Sequence, residues 1–264
     1  MANLLLCLQM SPIDALAAVD LAELIADIED GQPCQCKPAW LVSYRKDTPV
    51  TRVHGVESQL CNYFGDVWVA QAREHGNGWP AGPNALWRST MSDVYRLFEQ
   101  GKIQAPGVLT FEADCVPMRV DWIDRLDEAY GKRVKPVLGN VHGDHINGNA
   151  IFPVTLAKDW PEMMQSPREI AWDYFHKDFL MENGEDTPFI TQLYKRKQLT
   201  KPEWVGTKKS GERPALLHGI KDGTARAFAR EELVHGRRIR KGTSAMTISG
   251  QSFKEVTKGR MQGV

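Results

Sequence analysis

The chain has 264 residues, of which 42% are hydrophobic and 25% are charged. This ordinary globular composition is sufficient for one large domain or for one domain with an appendage. No stretch approaches 18 uninterrupted apolar residues, which excludes a transmembrane helix, and the five cysteines fit the reduced thiols of a cytoplasmic protein.

The formal net charge of zero hides an asymmetry along the chain. Residues 1–189 carry 16 Lys and Arg against 27 Asp and Glu, whereas residues 190–264 carry 17 against 6. A strongly basic segment joined to an acidic body suggests a polyanionic partner, with nucleic acid first and a membrane surface second. The alternative is a basic segment that neutralises the acidic domain and a phosphate ligand of its own.

The first elements of the chain alternate between strand and helix. Leu4–Met10 is predicted to be a buried strand, and Ser11-Pro12 supplies the N-cap and first turn of a helix from Ile13 to Ile28. Trp40–Tyr44 is a second apolar strand. A strand–helix–strand unit of this length implies parallel pairing through a right-handed crossover.

The remaining predicted elements continue this alternation and indicate a mostly parallel α/β sheet. Helices are predicted at 56–75, 86–99, 121–129, from Ser166-Pro167, from Thr187-Pro188 and at 224–233. Strands are predicted from Val108, at 135–139 as an edge strand, from Ile151 and at 214–219. Residues 195–213 are basic and irregular, and a basic tail that orders only on a partner is expected from Gly236 onward.

The strand that begins at Val108 runs into Glu112 and Asp114, and Pro117 follows. Alternation places both carboxylates on one side of the strand, at the carboxyl end where open α/β sheets bind ligands. Two hard oxygen donors suit a Mg²⁺ or Mn²⁺ ion that also binds phosphate. The alternative is a strand that ends in a solvated acidic turn.

A second chemical signal follows the last predicted strand, which ends in His218, three residues before Lys221. Asp114 and His218 would supply two metal ligands, and Lys221 would contact a diphosphate as a point charge. The alternative for His218 is a hydrogen-bonded structural histidine. A rival metal cluster of the hydrolase type is His142-x-Asp144-His145.

Four motifs, in chain order, together resemble a known family. Phe111–Pro117 resembles the D-x-D region of GT-A-fold nucleotide-sugar glycosyltransferases, although Glu112 stands in place of the first Asp. His218–Lys221 is similar to their C-terminal metal-binding His with its following Gly and Lys. His145–Ala150 resembles the Asn/Gly loop that lines their sugar site, and Trp79–Asn84 resembles the stretch beside the donor in bacterial and phage members.

The resemblance covers roughly residues 3–223 and implies a fold, a donor and a set of ligands. The implied fold is a GT-A-like single α/β domain over residues 1–223, with a mostly parallel, mixed central sheet flanked by helices and a basic C-terminal helix and tail over 224–264. The implied cofactors are Mn²⁺ or Mg²⁺ and a nucleotide-sugar donor, with a UDP-sugar first. The implied metal ligands are Asp114, His218 and Glu112, and the implied donor contacts are Arg45, Asp47, Gly82, Asn84, Glu112, Asn147, Gly148 and Lys221.

Sugar transfer by an inverting enzyme also needs a carboxylate that takes the proton of the acceptor hydroxyl. Asp173 is the first candidate, beside Trp172, which would stack on a sugar or a base. Asp186 is the second candidate. The alternative for each carboxylate is a helix cap or a surface position, and the sequence leaves open whether the anomeric configuration is inverted or retained.

The basic C-terminal segment bears on the acceptor. Phage enzymes that glycosylate hydroxymethylated pyrimidines in DNA are the precedent for a DNA acceptor, which would place the protein in the host cytoplasm. The candidate nucleic-acid contacts are Trp204, Lys208, Lys209, Arg237, Arg238, Arg240 and Lys241. The alternatives are a polysaccharide or lipid-linked acceptor, and a catalytically inactive nucleic-acid-binding protein of this fold. The sequence leaves the oligomeric state open.

Overall fold

The computed structural model describes residues 2–193, 199–207 and 213–236, and these contain twelve strands in three sheets. Seven strands form the central sheet, three form a second sheet, and β7 and β8 pair as a hairpin. In chain order the strands are β1 (Leu4–Met10), β2 (Trp40–Tyr44), β3 (Val67–Gln71), β4 (Gly107–Glu112), β5 (Val116–Pro117), β6 (Val137–Gly139), β7 (Val141–His142), β8 (His145–Ile146), β9 (Ile151–Pro153), β10 (Gly184–Asp186), β11 (Ile190–Gln192) and β12 (Leu216–His218).

Helices connect these strands and cover both faces of the central sheet. A 3₁₀ helix at Pro161–Met164 and a π-helical segment at Arg230–His235 add to the α-helices. In the described residues the α-helices are α1 (Ala15–Gly31), α2 (Val50–Cys61), α3 (Ala81–Glu99), α4 (Trp122–Gly131), α5 (Leu156–Asp159), α6 (Trp172–Phe175), α7 (Lys177–Asn183), α8 (Lys201–Gly206) and α9 (Thr224–Ala229).

The central strand β1 is buried on both faces, which explains its uninterrupted apolar sequence. Leu4, Leu6 and Leu8 pack into a cluster with residues of α1, α2 and α4. Leu5 and Cys7 face the other way and pack with residues of α3 and α5. The predicted fold class is confirmed, because a mostly parallel, mixed sheet lies between two layers of helices.

The strand order in the central sheet is β10-β6-β9-β4-β1-β2-β3, and β9 is antiparallel to both of its neighbours. The other pairs in this sheet are parallel. Because β9 is reversed, the loop that precedes it reaches the same edge as the carboxyl ends of β1, β2 and β4. The carbonyl oxygen of Ala150, at the end of this loop, accepts a hydrogen bond from Thr110 N at 3.0 Å.

Two predictions for the sheet are wrong in detail. The single helix predicted over 56–75 is α2 followed by β3, and a turn around Gly65 separates them. Val67 continues the helical spacing of the preceding residues by coincidence, but Val67 and Val69 alternate as strand residues and pair with Trp40 and Val42 of β2. The strand predicted at the edge, β6, lies inside the sheet, because β10 pairs on its outer side.

Two helices predicted from Ser-Pro and Thr-Pro signals are also corrected. The helix expected from Ser166-Pro167 begins only at Trp172, because the preceding segment is held in a non-helical form by the Asn84 side chain. Thr187-Pro188 leads through a turn into β11 and starts no helix. Local capping signals were therefore overridden by contacts between distant segments.

The described start of the predicted C-terminal extension belongs to the body of the fold. Ala225, Ala229 and Leu233 are buried in a third apolar cluster with Leu24 and Ile28 of α1. The tail from residue 237 onward lies outside the described residues. Within the described ranges, no helix is both long enough and apolar enough to cross a membrane.

Candidate metal and donor site

The site lies at the edge where the parallel strands β1, β2 and β4 end. In the register of the sheet, Gln9 lies opposite Glu112, and Met10 lies opposite Tyr44. The residues that follow these strands therefore emerge side by side. This is the edge at which open α/β sheets bind ligands.

A tight turn follows β4 and carries the two acidic residues. The backbone N–H of Cys115 donates to the carbonyl oxygen of Glu112 at 3.0 Å, which closes the turn. The Oδ1 atom of Asn149 accepts from the backbone N–H of Glu112 at 2.8 Å. Asn147 Oδ1 in turn accepts from Asn149 Nδ2 at 2.8 Å. The Asn/Gly loop before β9 thus holds the acidic turn in place.

The second sheet brings His218 to this turn. Strand β12 is antiparallel to β5, with Leu217 opposite Val116, so His218 lies next to the residues that precede β5. Gln192, at the end of β11, is the register partner of His218, and its Oε1 atom contacts His218 Nδ1. The contact leaves Nε2 directed at the acidic turn.

Glu112, Asp114 and His218 form the only cluster in the described chain with the spacing of a metal site, and their ligand atoms lie within 4.8 Å of one another. His218 Nε2 is 3.1 Å from Glu112 Oε2 and 3.1 Å from Asp114 Oδ1. The Asp114 side chain is 10% exposed and that of Glu112 is 40% exposed. Asp114 therefore lies at the base of the cluster and Glu112 at its mouth.

The donor set fits a divalent cation. Both carboxylate oxygens of Asp114 are buried and have no well-directed hydrogen bond from the protein, a condition that a bound cation would satisfy. Two carboxylates and one imidazole suit Mn²⁺, and Mg²⁺ accepts the same oxygen ligands. The sequence prediction of these three residues as one cluster thus agrees with the geometry.

The electrostatics of the cluster favour positive charge at its centre. Burial lowers the pKa of His218, but Asp114 and Glu112 outweigh this effect and raise the pKa to about 9. Burial raises the pKa of Asp114, but His218 and Lys221 bring it below its usual value. Lys221 Nζ is 3.9 Å from Asp114 Oδ2, and its side chain is 81% exposed, so it lies on the solvent side of the cluster.

Arg45, Asp47 and Gly82, three of the predicted donor contacts, lie close to one another near the end of β1. Arg45 N donates to the carbonyl oxygen of Met10 at 3.1 Å, which places Arg45 beside the end of β1. Its Nη2 atom is 2.9 Å from Asp47 Oδ2. A Cβ atom on Gly82 would lie 2.8 Å from Arg45 Nη1, so the missing side chain makes room for the guanidinium.

Asn84 has a different role from the predicted donor contact. It is 1% exposed. Its Nδ2 donates to the carbonyl oxygens of Pro167 and Ile170, and its Oδ1 accepts from Trp172 N, all within 2.9 Å. These contacts use both N–H groups of the amide, so Asn84 anchors a neighbouring segment and has no side-chain N–H left for a donor.

Asp173, the first candidate base, lies close to the acidic cluster. It accepts hydrogen bonds from Gly148 N at 3.1 Å and from Tyr174 N at 2.9 Å. Burial raises the pKa of its carboxyl group, and the charge of Glu112 raises it further. Trp172 stacks on Trp87 with ring centroids 3.6 Å apart and is buried, so the expectation that it stacks on a ligand is corrected.

Asp186, the second candidate base, lies away from the cluster. It ends β10, three strands from β4, which corresponds to about 14 Å at the usual strand spacing. Its Oδ1 atom accepts from Val141 N at 2.9 Å. The structure thus groups Asp173 with the cluster and separates Asp186 from it.

The rival metal cluster does not form. Asp144 is exposed and pairs with Lys177 at 2.7 Å, and the rings of His142 and His145 are 6.5 Å apart. Among the residues that the structure describes, the metal-type cluster is the one around Asp114.

Trp204 does not form a stacking surface. Its ring is fully buried, and its Nε1 donates to Glu232 Oε2 at 2.8 Å, so the expectation that it binds a base is corrected. The other proposed nucleic-acid contacts lie outside the described residues. These are Lys208, Lys209, Arg237, Arg238, Arg240 and Lys241.

A cavity of about 500 Å³ is lined in part by Gln192, whose side chain contacts His218. Its described lining includes Asn140, Thr191, Gln192 and Leu199. The hydroxyl oxygen of Thr191 is buried without a hydrogen-bond partner. Sequence reasoning missed Gln192, because its role depends on strand register. It indicated the loop that contains Asn149 but not the contact of Asn149 with the backbone of Glu112.

No protein-family model matches the chain, and a search of curated protein sequences finds no match. Among solved structures, an active-site mutant of LgtC matches with 12% identity and a TM-score of 0.51, covering 88% of this chain and 95% of that one. The chain has a GT-A glycosyltransferase fold.

Two further structures resemble this GT-A domain. The galactosyltransferase LgtC in complex with donor and acceptor sugar analogues is 11% identical, with a TM-score of 0.49, 88% of this chain covered and 95% of that chain. The mannosyltransferase PcManGT from Pyrobaculum calidifontis, in complex with GDP-Man and Mn²⁺, is 10% identical, with a TM-score of 0.47. That match covers 70% of this chain and 54% of the mannosyltransferase.

Proposed function

We propose that this protein is a metal-dependent glycosyltransferase that moves a sugar from a nucleotide-sugar donor to a hydroxyl group. The observation that carries the proposal is the cluster of Glu112, Asp114 and His218 at the ligand-binding edge of a GT-A sheet. The strongest part of it is the Asp114 carboxylate, whose oxygens are buried and whose Oδ1 atom lies 3.1 Å from His218 Nε2. The likeness in fold to LgtC, a galactosyltransferase, supports the same class of reaction.

Asp114, His218 and Glu112 would hold Mn²⁺ or Mg²⁺. When bound, the ion supplies Lewis-acid stabilisation of the departing nucleoside diphosphate. Lys221 adds positive charge on the solvent side, where diphosphate oxygens would lie. Arg45 and Asp47 bind the base and ribose of the donor, for which UDP is our first choice.

Asn147 and Gly148 line the sugar side of the donor, next to Asp173. We assign Asp173 the role of general base toward the acceptor hydroxyl, because it is partly buried, and both this burial and the charge of Glu112 raise its pKa. A raised pKa makes a carboxylate a stronger proton acceptor at neutral pH. Asp186 is a weaker candidate because three strand spacings separate it from β4.

For the acceptor we propose hydroxymethylated pyrimidines in DNA, as in phage DNA modification. The cavity beside Gln192 has a volume suited to a single nucleoside or sugar unit. Two residues that line it, Leu193 and Thr207, directly precede basic stretches of the sequence that contain Lys195-Arg196-Lys197 and Lys208-Lys209. This basic sequence supports a polyanionic acceptor.

The test is a screen of nucleotide sugars against acceptors that include hydroxymethylated DNA, plain DNA and free saccharides, read by mass spectrometry. We expect Mn²⁺-dependent donor hydrolysis that falls at least ~100-fold in Asp114→Asn, in line with the loss of a metal-held transition-state contact. Asp121→Asn is the matched control, since Asp121 pairs with Arg119 and Arg125 outside the cluster.

Each outcome separates the candidates. Wild-type protein that hydrolyses no nucleotide sugar in Mn²⁺ contradicts the transferase and leaves a non-catalytic nucleic-acid-binding protein. Transfer to hydroxymethylated DNA that weakens as salt rises supports the DNA acceptor. Transfer to saccharides or lipid-linked sugars that is insensitive to salt, together with no transfer to DNA, contradicts the DNA acceptor and identifies a sugar acceptor instead.

A further inference from the structure

A buried arginine connects the C-terminal helix α9 to the acidic turn. Arg226 is 6% exposed. Its Nη1 atom donates to the carbonyl oxygen of Ala113 at 3.0 Å, and its Nε atom donates to Asp20 Oδ2 at 2.5 Å. Ala113 stands between Glu112 and Asp114, so one guanidinium joins α1, α9 and the turn that carries two of the three proposed ligands.

We infer that Arg226 is a positioning residue for the metal site, holding the Ala113 peptide so that the Asp114 carboxylate stays directed at His218. The inference rests on the metal-binding part of the proposed function. A buried guanidinium is costly unless its charge is paired and its N–H groups are satisfied. The Asp20 carboxylate pairs with the charge of Arg226, and the Ala113 carbonyl oxygen accepts a hydrogen bond from the same planar guanidinium.

The other contacts of the turn between Glu112 and Cys115 do not involve the Ala113 carbonyl, which accepts from Arg226. Asn149 holds the backbone N–H of Glu112, and the Cys115 N–H closes onto the Glu112 carbonyl. On the far side of the turn, Val116 pairs with β12. Both ends of the turn are therefore fixed by other segments, while the carbonyl in its middle is held by the guanidinium. The orientation of that peptide sets the direction in which the Asp114 side chain leaves the chain.

Arg230, one helical turn later, provides a natural control. Its Nη1 and Nη2 atoms bond to Oδ1 and the carbonyl oxygen of the same Asp20, and Nη2 is 3.7 Å from Glu23 Oε2. Within the described residues, these polar contacts of Arg230 are therefore all to α1. Removing Arg230 takes away one ion pair between α1 and the C-terminal segment but leaves the contact to Ala113 intact.

The experiment measures the binding of Mn²⁺ alone to wild-type protein, Arg226→Gln, Arg226→Lys and Arg230→Gln, by electron paramagnetic resonance of the free ion. Loss of a group that orients a metal ligand typically weakens metal binding ~10–100-fold. We expect Arg226→Gln to show a weakening of this size and Arg230→Gln to stay within about twofold of wild type. Arg226→Lys keeps the charge but not the planar fork, so we expect an intermediate dissociation constant.

Melting temperatures and near-ultraviolet circular dichroism establish that each variant is folded. If Arg226→Gln does not fold, the comparison of Arg226→Lys with Arg230→Gln decides. A folded Arg226 variant that binds Mn²⁺ as tightly as Arg230→Gln overturns the positioning role while leaving the proposed function intact. Wild-type protein that does not bind Mn²⁺ overturns the metal site itself, and the inference with it.

Discussion

Replacing Asn84 with alanine tests whether this residue anchors a segment or binds the donor. Its side chain makes three hydrogen bonds, to the carbonyl oxygens of Pro167 and Ile170 and to the N–H of Trp172. Each such bond contributes about 1 kcal/mol net, so the substitution should lower the free energy of unfolding by about 3 kcal/mol. This corresponds to about two orders of magnitude in the folding equilibrium constant.

Urea denaturation measures this loss, and hydrogen exchange at the Trp172 amide reports whether the segment opens locally. Because Asp173 follows Trp172 directly, we expect the turnover of Asn84→Ala to fall while its affinity for the donor stays unchanged. Asn77→Ala, at an exposed position in the loop before α3, is the control and should change stability by less than about 0.5 kcal/mol.

The refuting result is an Asn84→Ala variant with wild-type stability and a weakened affinity for the nucleotide sugar. That combination would return Asn84 to the donor site and would mean that the contacts to the 167–172 segment contribute little.

Three further predictions concern charge and packing. Burial alone raises the pKa of Asp20, but its partners Arg226 and Arg230 hold the pKa below the ordinary 3.8. The ionised Asp20 therefore stabilises the folded protein above pH 3.8, and this contribution is lost as the pH falls further. Asp20→Asn should accordingly make the free energy of unfolding less dependent on pH in the acid range. Burial lowers the pKa of His218, but its carboxylate neighbours raise it to about 9, so its ring in metal-free protein should titrate near pH 9 by NMR, and a midpoint below 7 contradicts the cluster. A Cβ at Gly148 would lie 2.9 Å from Trp172 Cζ2, whereas Gly65 has open space; Gly148→Ala should therefore cost about 1–3 kcal/mol in urea unfolding and Gly65→Ala much less.

The elements that the sequence predicts correctly are those whose pattern has one physical cause. Leu4–Met10 is apolar at almost every position because both faces of β1 are covered, and this pattern occurs in few other settings. The helix predicted over 56–75 was wrong because Val67 continues the helical spacing of Val56, Leu60 and Phe64. Val67 and Val69 alternate as strand residues do, and their pairing with β2 makes this segment a strand.

In the site, too, the residues with a local chemical signal are predictable, and those defined by distant contacts are not. Asp114 and His218 carry a chemical signal of their own, as a carboxylate and an imidazole at the ends of apolar strands, and the structure brings them within 3.1 Å. Asn149, Gln192 and Arg226 carry no such signal, because their importance lies in the distant groups that they contact. The role of a side chain that only supports a site therefore cannot be predicted from a single sequence.

The reversed strand β9 has a consequence for how this fold tolerates change. Leu138 of β6 pairs with Ile151 of β9, so the chain between them leaves the sheet and returns to it at neighbouring points. The β7–β8 hairpin projects from that excursion, with Gly143 and Asp144 at its tip. Residues can be added or removed at the tip without shifting the register of any strand in the central sheet. A change in the length of this one hairpin can thus reshape the wall of the cavity that Gln192 also lines, while the strands that carry the proposed ligands stay as they are.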